Sequence, residues 1–228
     1  MDWQIIAAII ILLTFITGLY FYFISDKKII NRFDNYELIE LPNLLTDKEC
    51  DDIIELAKKQ GLHESEVLNY EMEKTTTTDQ KFRKSEIAWM NDTYPLVKKI
   101  SKISESLTGY PMNTQEMLQV AHYKPGGMFN AHYDACVYKD QAYCNKINNN
   151  AGQRTTTLII YLNDDFQGGE THFVNLDLKI KPVKGKGLLF KNVDKDDIII
   201  EKSLHQGNEV KSGEKWICTK WSHSRQFS

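Results

Sequence analysis

The chain carries no excess of positive charge: 28 Lys and Arg stand against 31 Asp and Glu, a formal net charge of -3 over 228 residues. Nucleic-acid binders usually present a basic face, so nucleic acid is not an expected partner. Cysteine is scarce too. Cys50, Cys136, Cys144 and Cys218 are too few and too scattered for a disulfide-built scaffold, and no CxxC pair suggests zinc. There is no internal repeat, and the one low-complexity patch, "NKINNNAGQ" from Asn145 to Gln153, reads as a mobile loop. The length suits one folded unit with a full core and is too short for two comfortable ones.

Charge is missing altogether from Trp3 to Ile24. As a helix this stretch would span about 33 Å at about 1.5 Å per residue, close to the hydrocarbon thickness of a bilayer. Trp3, Tyr20 and Tyr22 stand where interfacial aromatics gather. No basic residue precedes the run, and bulky "FYFI" occupies the place of a small-residue cleavage site. A single-pass membrane anchor over residues 1–25 is therefore expected, followed by a polar stalk at 26–36 and a domain at 37–228. Lys27, Lys28 and Arg32 follow the anchor while Asp2 precedes it, which by the positive-inside rule puts the domain on the cytoplasmic side.

What is present is a change of period. "YELIELPNLL" alternates as an entering strand, and "TDKECDDIIELAKKQG" opens on a capping box, Thr46 with Glu49, and ends at Gly61. Cys50, Ile53, Ile54 and Ala57 share one face of that helix. A second helix is expected from Pro95 to about Leu107, with Gly109 closing it. From Glu116 onward the period falls to two, in "MLQVAHY", "TTTLIIYL", "THFVNLDLKI", "KGLLFKN", "DIIIEKSLHQ" and "KWICTKW". Two helices followed by many short strands indicate a mainly β, α+β fold, with an antiparallel sheet closed as a sandwich or barrel.

Within the strand region "NAHYDA" sets His132 two residues from Asp134. On a strand that spacing puts both side chains on one face, as two ligands of a single metal require. Two His and one Asp leaving the opposite positions open is the arrangement of non-haem Fe(II) oxygenases, although HxD alone is weak evidence. His205 ends a hydrophobic run, and a turn at Ser212 and Gly213 sends the chain back to Lys215, ten residues after it. A lysine among Trp216, Ile217 and Trp221 should be solvated or paired, because burying an unpaired ammonium is costly, and a carboxylate ligand beside the metal would supply the partner. His122 and His172 read as structural or exposed, His63 lies at a helix end and His223 near the C-terminus.

With HxD, a long gap, His, and Lys ten residues on, the chain resembles the 2-oxoglutarate and Fe(II)-dependent dioxygenases, and among them the prolyl 4-hydroxylase family. "LQVAHYKPGGMFNAHYD", "QRTTTLIIYLNDDFQGGETHF" and "GEKWICTKWSHSRQF" are similar to the family's segments, and the likeness runs roughly from Glu37 to Phe227. The resemblance implies a double-stranded β-helix (jelly-roll, cupin-like) with its catalytic core at about 115–228 and N-terminal helices packed on it. It implies His132, Asp134 and His205 as catalytic iron ligands, and Lys215, Tyr123 and Thr171 as the grip on 2-oxoglutarate. Arg154 and Trp221 match residues that meet a peptide substrate. Phe129, a third substrate-facing residue, stands where the family usually carries a tyrosine and lacks the hydroxyl of one family peptide contact, and "CTKW" stands where Asn commonly precedes the Lys-Trp pair. Cofactors so implied are Fe(II), 2-oxoglutarate as cosubstrate, O2, and ascorbate.

The expected activity is hydroxylation of peptidyl proline, in collagen-like or other proline-rich chains, coupled to decarboxylation of 2-oxoglutarate to succinate. Two alternatives stay open: an oxygenase of the same cofactors acting on another residue or a small molecule, and a non-catalytic barrel that binds peptide or carbohydrate. Anchored members of the family imply the lumen of the endoplasmic reticulum or a related endomembrane, against the vote of the flanking charges; a virion membrane is a further option. Cys136 and Cys144 flank the loop after HxD, where a disulfide would require an oxidising compartment. Asn91 in "NDT" forms a glycosylation sequon. Oligomeric state is not legible.

Overall fold

The computed structural model describes residues 29–34, 36–65, 67–68, 76–77, 81–138, 144, 146 and 148–227, together with Trp3. No helix among the described residues is long and apolar enough to cross a membrane, and the anchor expected over residues 1–25 lies, apart from Trp3, outside them.

The chain enters through β1 (Ile29–Phe33) and β2 (Tyr36–Leu41), then helix α1 (Asp47–Gln60). Short pieces β3 (His63–Glu64), β4 (Val67–Leu68), β5 (Thr76–Thr77) and β6 (Arg83–Lys84) precede β7 (Glu86–Met90) and helix α2 (Pro95–Thr108). There follow β8 (Leu118–Tyr123), β9 (Met128–His132), β10 (Arg154–Tyr161), β11 (Gln167–Gly168), β12 (Thr171–Phe173) and β13 (Leu178–Ile180). The last four are β14 (Gly187–Lys191), β15 (His205–Gly207), β16 (Val210–Ser212) and β17 (Lys215–His223).

One sheet has the order β1-β2-β14-β10-β17-β8-β7-β3 and another β13-β12-β15-β9-β6. The chain alternates between the two from β8 to β9 to β10, then β12 and β13, back to β14, across to β15 and home to β17. This interleaving of two antiparallel four-strand sets is the double-stranded β-helix, the fold expected above.

The larger sheet separates two cores. On its outer face Leu118, Val120, Leu158, Ile160 and Cys218 pack against Cys50, Ile53 and Ala57 of α1 and Val97, Ile100 and Ile103 of α2. On its inner face Ala121, Tyr123, Ile159, Tyr161, Leu188 and Phe190 meet Phe173 and Ile180 of the smaller sheet. The helices start where the sequence says they should. Thr46 Oγ1 accepts from the Glu49 amide while the Glu49 carboxylate accepts from the Thr46 amide, and Pro95 begins α2, which Gly109 ends in the left-handed conformation.

Four expectations need correction. Residues 29–33, assigned to a stalk, form β1 paired with β2, because "IINRF" can extend the sheet edge alongside "YELIEL". "THFVNLDLKI" is not one strand: a 3-10 turn at Val174–Leu176 and a left-handed Asp177 fold it into the pair β12 and β13. The run "DIII" forms no strand, its Ile198 is 62% exposed, and a 3-10 turn at Glu201–Ser203 delivers His205 to the start of β15 rather than to a strand end. The strand carrying Lys215 does not return beside β15 but lies in the opposite sheet.

Candidate active site

His132 closes β9, and its register partner on β15 is His205, so the sheet itself sets two imidazoles side by side with ring centres 4.4 Å apart. Each ring is fixed through Nδ1, His132 on the Asn130 carbonyl at 2.7 Å and His205 on the Ser203 carbonyl at 2.9 Å. An Nδ1–H donating to a carbonyl leaves Nε2 as a bare lone pair, the form that binds a metal. Those two Nε2 atoms lie 3.7 and 3.8 Å from the Asp134 carboxylate, and one ligand atom from each of the three residues falls within 4.8 Å of the others.

Asp134 does not arrive by strand pleating, as the HxD spacing suggested. It sits in the bend after β9, and Thr157 on β10 donates to its Oδ2 at 2.6 Å. Just beyond, a disulfide joins Cys136 to Cys144, and the Gln153 amide accepts from the Cys136 N–H at 2.9 Å and donates to its carbonyl at 3.0 Å. The loop patch expected to be mobile thus contributes a buried clamp at Gln153.

The electrostatics suit cation binding. Burial, and then the neighbouring His205, hold the His132 imidazole well below its ordinary range, so it stays neutral. Burial alone would raise the Asp134 carboxyl, but His205, His132, Arg154 and the Thr157 hydrogen bond outweigh it and the net direction is down. Two imidazole nitrogens and a carboxylate on one wall of a cleft form the donor set of a non-haem ferrous centre, and the residues fit Fe(II).

On the facing wall Lys215 is 2% exposed and pairs in register with Tyr123. Its ammonium lies 5.2 Å from the Tyr123 ring centre, and it forms no salt bridge among the described residues. Burial pulls its pKa down to about 8, with Glu170 attracting it from further away. Thr171 lines the same cleft, and its Oγ1 accepts from the Tyr161 hydroxyl at 2.8 Å, so its own proton is free for an anion. An ammonium and hydroxyls around room for one anion fit the distal carboxylate of 2-oxoglutarate.

Phe129 and Trp221 also line this cleft. Phe129 stacks on His132, ring centres 3.6 Å apart, and Trp221 lies near Trp89 at 6.1 Å. Arg154 is placed differently from the other expected residues: its guanidinium is bonded by two nitrogens to Glu116 and lies 4.1 Å from the Trp221 ring centre, at the margin of the cleft. His122 bridges Glu86 and Glu214, His223 bonds Glu116, and His172 faces Asp177, away from the metal-ligand group.

Other residues escaped sequence reasoning, Arg83 and Glu116 among them. Arg83 lines the cleft, donating to Gln119 Oε1 at 2.8 Å with its guanidinium carbon 4.6 Å from the Phe129 ring centre. Nothing in a two-residue strand announces it. Glu116, which anchors both Arg154 and His223, is held down to about 2 against its burial by those two partners. Its place just before "MLQVAHY" was the available signal.

A family model described as the 2OG-Fe(II) oxygenase superfamily matches residues 118–223. Among curated proteins, one of Acanthamoeba polyphaga mimivirus named "Putative prolyl 4-hydroxylase" is 35% identical over 189 residues, covering 82% of this chain and 74% of its own. Prolyl 4-hydroxylase 5 of Arabidopsis thaliana is 33% identical, covering 81% and 67%. A solved viral collagen prolyl hydroxylase from Paramecium Bursaria Chlorella virus-1, in complex with 2OG, is 34% identical over 81% of this chain and 94% of that one, with a TM-score of 0.64. With the His-Asp-His group in place and Fe(II) and 2-oxoglutarate so implied, this chain belongs to the prolyl 4-hydroxylase family of 2OG-Fe(II) oxygenases.

Proposed function

We propose that the chain hydroxylates peptidyl proline to 4-hydroxyproline, coupled to conversion of 2-oxoglutarate and O2 to succinate and CO2. The observation that carries this reading is the pairing of two walls: His132, Asp134 and His205 on one, and on the other a buried Lys215 with no salt-bridged carboxylate among the described residues. Iron, when bound by the three ligands, would supply the oxidising centre at which O2 and the keto acid react. Lys215 would hold the distal carboxylate as a charge-assisted pair, with Tyr123 and Thr171 adding hydrogen bonds. That grip orients the keto acid toward the metal and shuts bulk water out.

The peptide would lie along the aromatic rim, over Phe129 and Trp221, with Arg154 steadying Trp221 from its bond to Glu116. Phe129 offers an apolar ring edge and no hydroxyl, which suits a prolyl ring more than a polar side chain. The names of the viral and plant relatives support a proline-containing substrate.

The test is direct. Purified full-length chain with Fe(II), 2-oxoglutarate, ascorbate and a panel of proline-rich peptides should release succinate and yield peptide one oxygen atom heavier, with 4-hydroxyproline after hydrolysis. Succinate release without peptide oxidation across the panel would assign the chain another substrate, and absence of iron binding would leave a binding barrel.

The reading also includes a single-pass anchor over residues 1–25 and a domain in an oxidising lumen. The Cys136–Cys144 disulfide and the exposed Asn91 sequon support that side of the membrane over the cytoplasmic one. Protease protection of the domain in intact microsomes checks it; digestion without detergent would reject it.

A further inference from the structure

We propose that a buried relay from Asn192 through Thr157 fixes which oxygen of Asp134 meets the metal. The relay rests on the iron-binding reading of the His-Asp-His group given above. Asn192 and Thr157 are both fully buried, an unusual place for two neutral polar side chains unless their hydrogen bonds are spoken for. Thr157 projects from the inner face of β10, opposite Phe190 and Trp221, and Asn192 follows the last residue of β14. The Asn192 backbone is pinned on both sides, its N–H to the Thr155 carbonyl at 2.9 Å and its carbonyl to the Ile200 N–H at 3.0 Å.

The relay has a direction. A threonine hydroxyl has one proton, and Thr157 gives it to Asp134 Oδ2 at 2.6 Å. Asn192 Nδ2 donates to Thr157 Oγ1 at 2.8 Å, filling an acceptor position and leaving that proton committed to Asp134. Turned over, the amide would present its oxygen as a second claimant for the same proton. Asn192 Oδ1 instead stays buried without a hydrogen-bond partner among the described residues, a cost that makes sense only if the donor end must face Thr157.

The consequence falls on the carboxylate. Both oxygens lie near a ligand histidine, Oδ1 3.7 Å from His132 Nε2 and Oδ2 3.8 Å from His205 Nε2, but only Oδ2 carries the Thr157 hydrogen bond, while Oδ1 accepts none among the described residues. With one lone pair of Oδ2 engaged by Thr157, Oδ1 would be the oxygen free to meet the metal, and Asp134 would be held to one bond. A carboxylate bound through one oxygen leaves places for a chelating keto acid and for O2, whereas a chelating carboxylate would take one of them. Thr157 and Asn192 are therefore positioning residues, acting through Asp134.

Anaerobic Fe(II) titration of the metal-free full-length protein tests this, with the charge-transfer absorption of the Fe(II) and 2-oxoglutarate complex as a second readout. Thr157→Val should weaken Fe(II) binding roughly 10- to 100-fold, the range for loss of an outer partner of a metal ligand, and alter the absorption band. Thr157→Ser, which keeps the hydroxyl, should restore both. Wild-type affinity in Thr157→Val, or a Thr157→Ser variant as weak as Thr157→Val, would overturn the relay. If Thr157→Val fails to fold, Asn192→Ala decides: weakened Fe(II) binding supports the relay and unchanged binding overturns it. A wild-type protein that takes up no Fe(II) fails at the earlier step, rejecting the metal reading itself and the relay with it.

Discussion

The two sheets of this molecule are built to different standards. The larger is anchored by β17, nine residues buried throughout, and is covered by both helices on one face. The smaller is assembled from strands of two to five residues, with much of β9 exposed or only partly buried. Yet the short strands carry His132 and His205, while the long ones carry Lys215 and Thr157. The chemistry is therefore largely divided: metal ligands come mainly from the lighter sheet, while Lys215, Tyr123 and Thr157, which would orient the cosubstrate and the Asp134 carboxylate, come from the heavier one, with Thr171 of β12 the exception. A rigid sheet can hold a buried ammonium without a counter-ion, because deforming it to let water in would break up two cores.

That division predicts separable losses. Replacing Asp134 or His205 with Ala should abolish Fe(II) binding and turnover together while the metal-free protein keeps its circular dichroism spectrum, the largest effect expected. Lys215→Ala should leave Fe(II) affinity intact and weaken 2-oxoglutarate by roughly 30- to several thousand-fold, from the about 2 to 5 kcal/mol lost when one member of a buried charge pair goes. If Lys215→Ala also released iron, the two walls would not be independent.

Titration sharpens the same contrast. Lys215 in the free protein has its pKa pulled from 10.5 to about 8 by burial, so its charge is lost as pH rises through about 8. The dissociation constant for 2-oxoglutarate should then climb about tenfold per pH unit above that value, until the pKa of the complex is reached. Lys215→Arg, charged throughout, should flatten the profile. Fold stability moves the other way: the native state binds fewer protons than the unfolded chain between about 8 and 10.5, so deprotonation relieves the burial cost and stability rises over that window.

The sheets also differed in how far the sequence disclosed them. Long alternating runs such as "LQVAHY" and "RTTTLIIY" declared β8 and β10, and the capping box at Thr46 declared α1, because local preference and burial agree there. The smaller sheet was legible only in its residues. β12, β13 and β15 are three residues each, too short for a period of two to register, and the hydrophobic "DIII" that imitated a strand is largely a surface turn. Asp134 was found by motif and placed wrongly, since a bend rather than a pleat aims it at the histidines. Arg83 and the Asn192–Thr157 pair were silent, because long-range hydrogen bonds leave no local pattern.

Stability should follow the same boundary at smaller scale. Ile100→Ala, in the helix-backed core, removes a fully buried side chain from α2 and should cost about 2 to 5 kcal/mol in denaturant unfolding, with 2-oxoglutarate and Fe(II) affinities unchanged. Opening the Cys136–Cys144 bridge by Cys144→Ser should cost less, about 2 to 3 kcal/mol, since it closes a loop of only eight residues' separation. Its effect should instead appear at the metal. The bridge begins two residues after Asp134 and shares Cys136 with the Gln153 clamp, so its loss frees the backbone that presents the carboxylate. Fe(II) affinity in Cys144→Ser should fall severalfold although the global unfolding energy falls less than in Ile100→Ala, and an Ile100→Ala protein that loosened iron more than Cys144→Ser would erase the distinction between the two sheets.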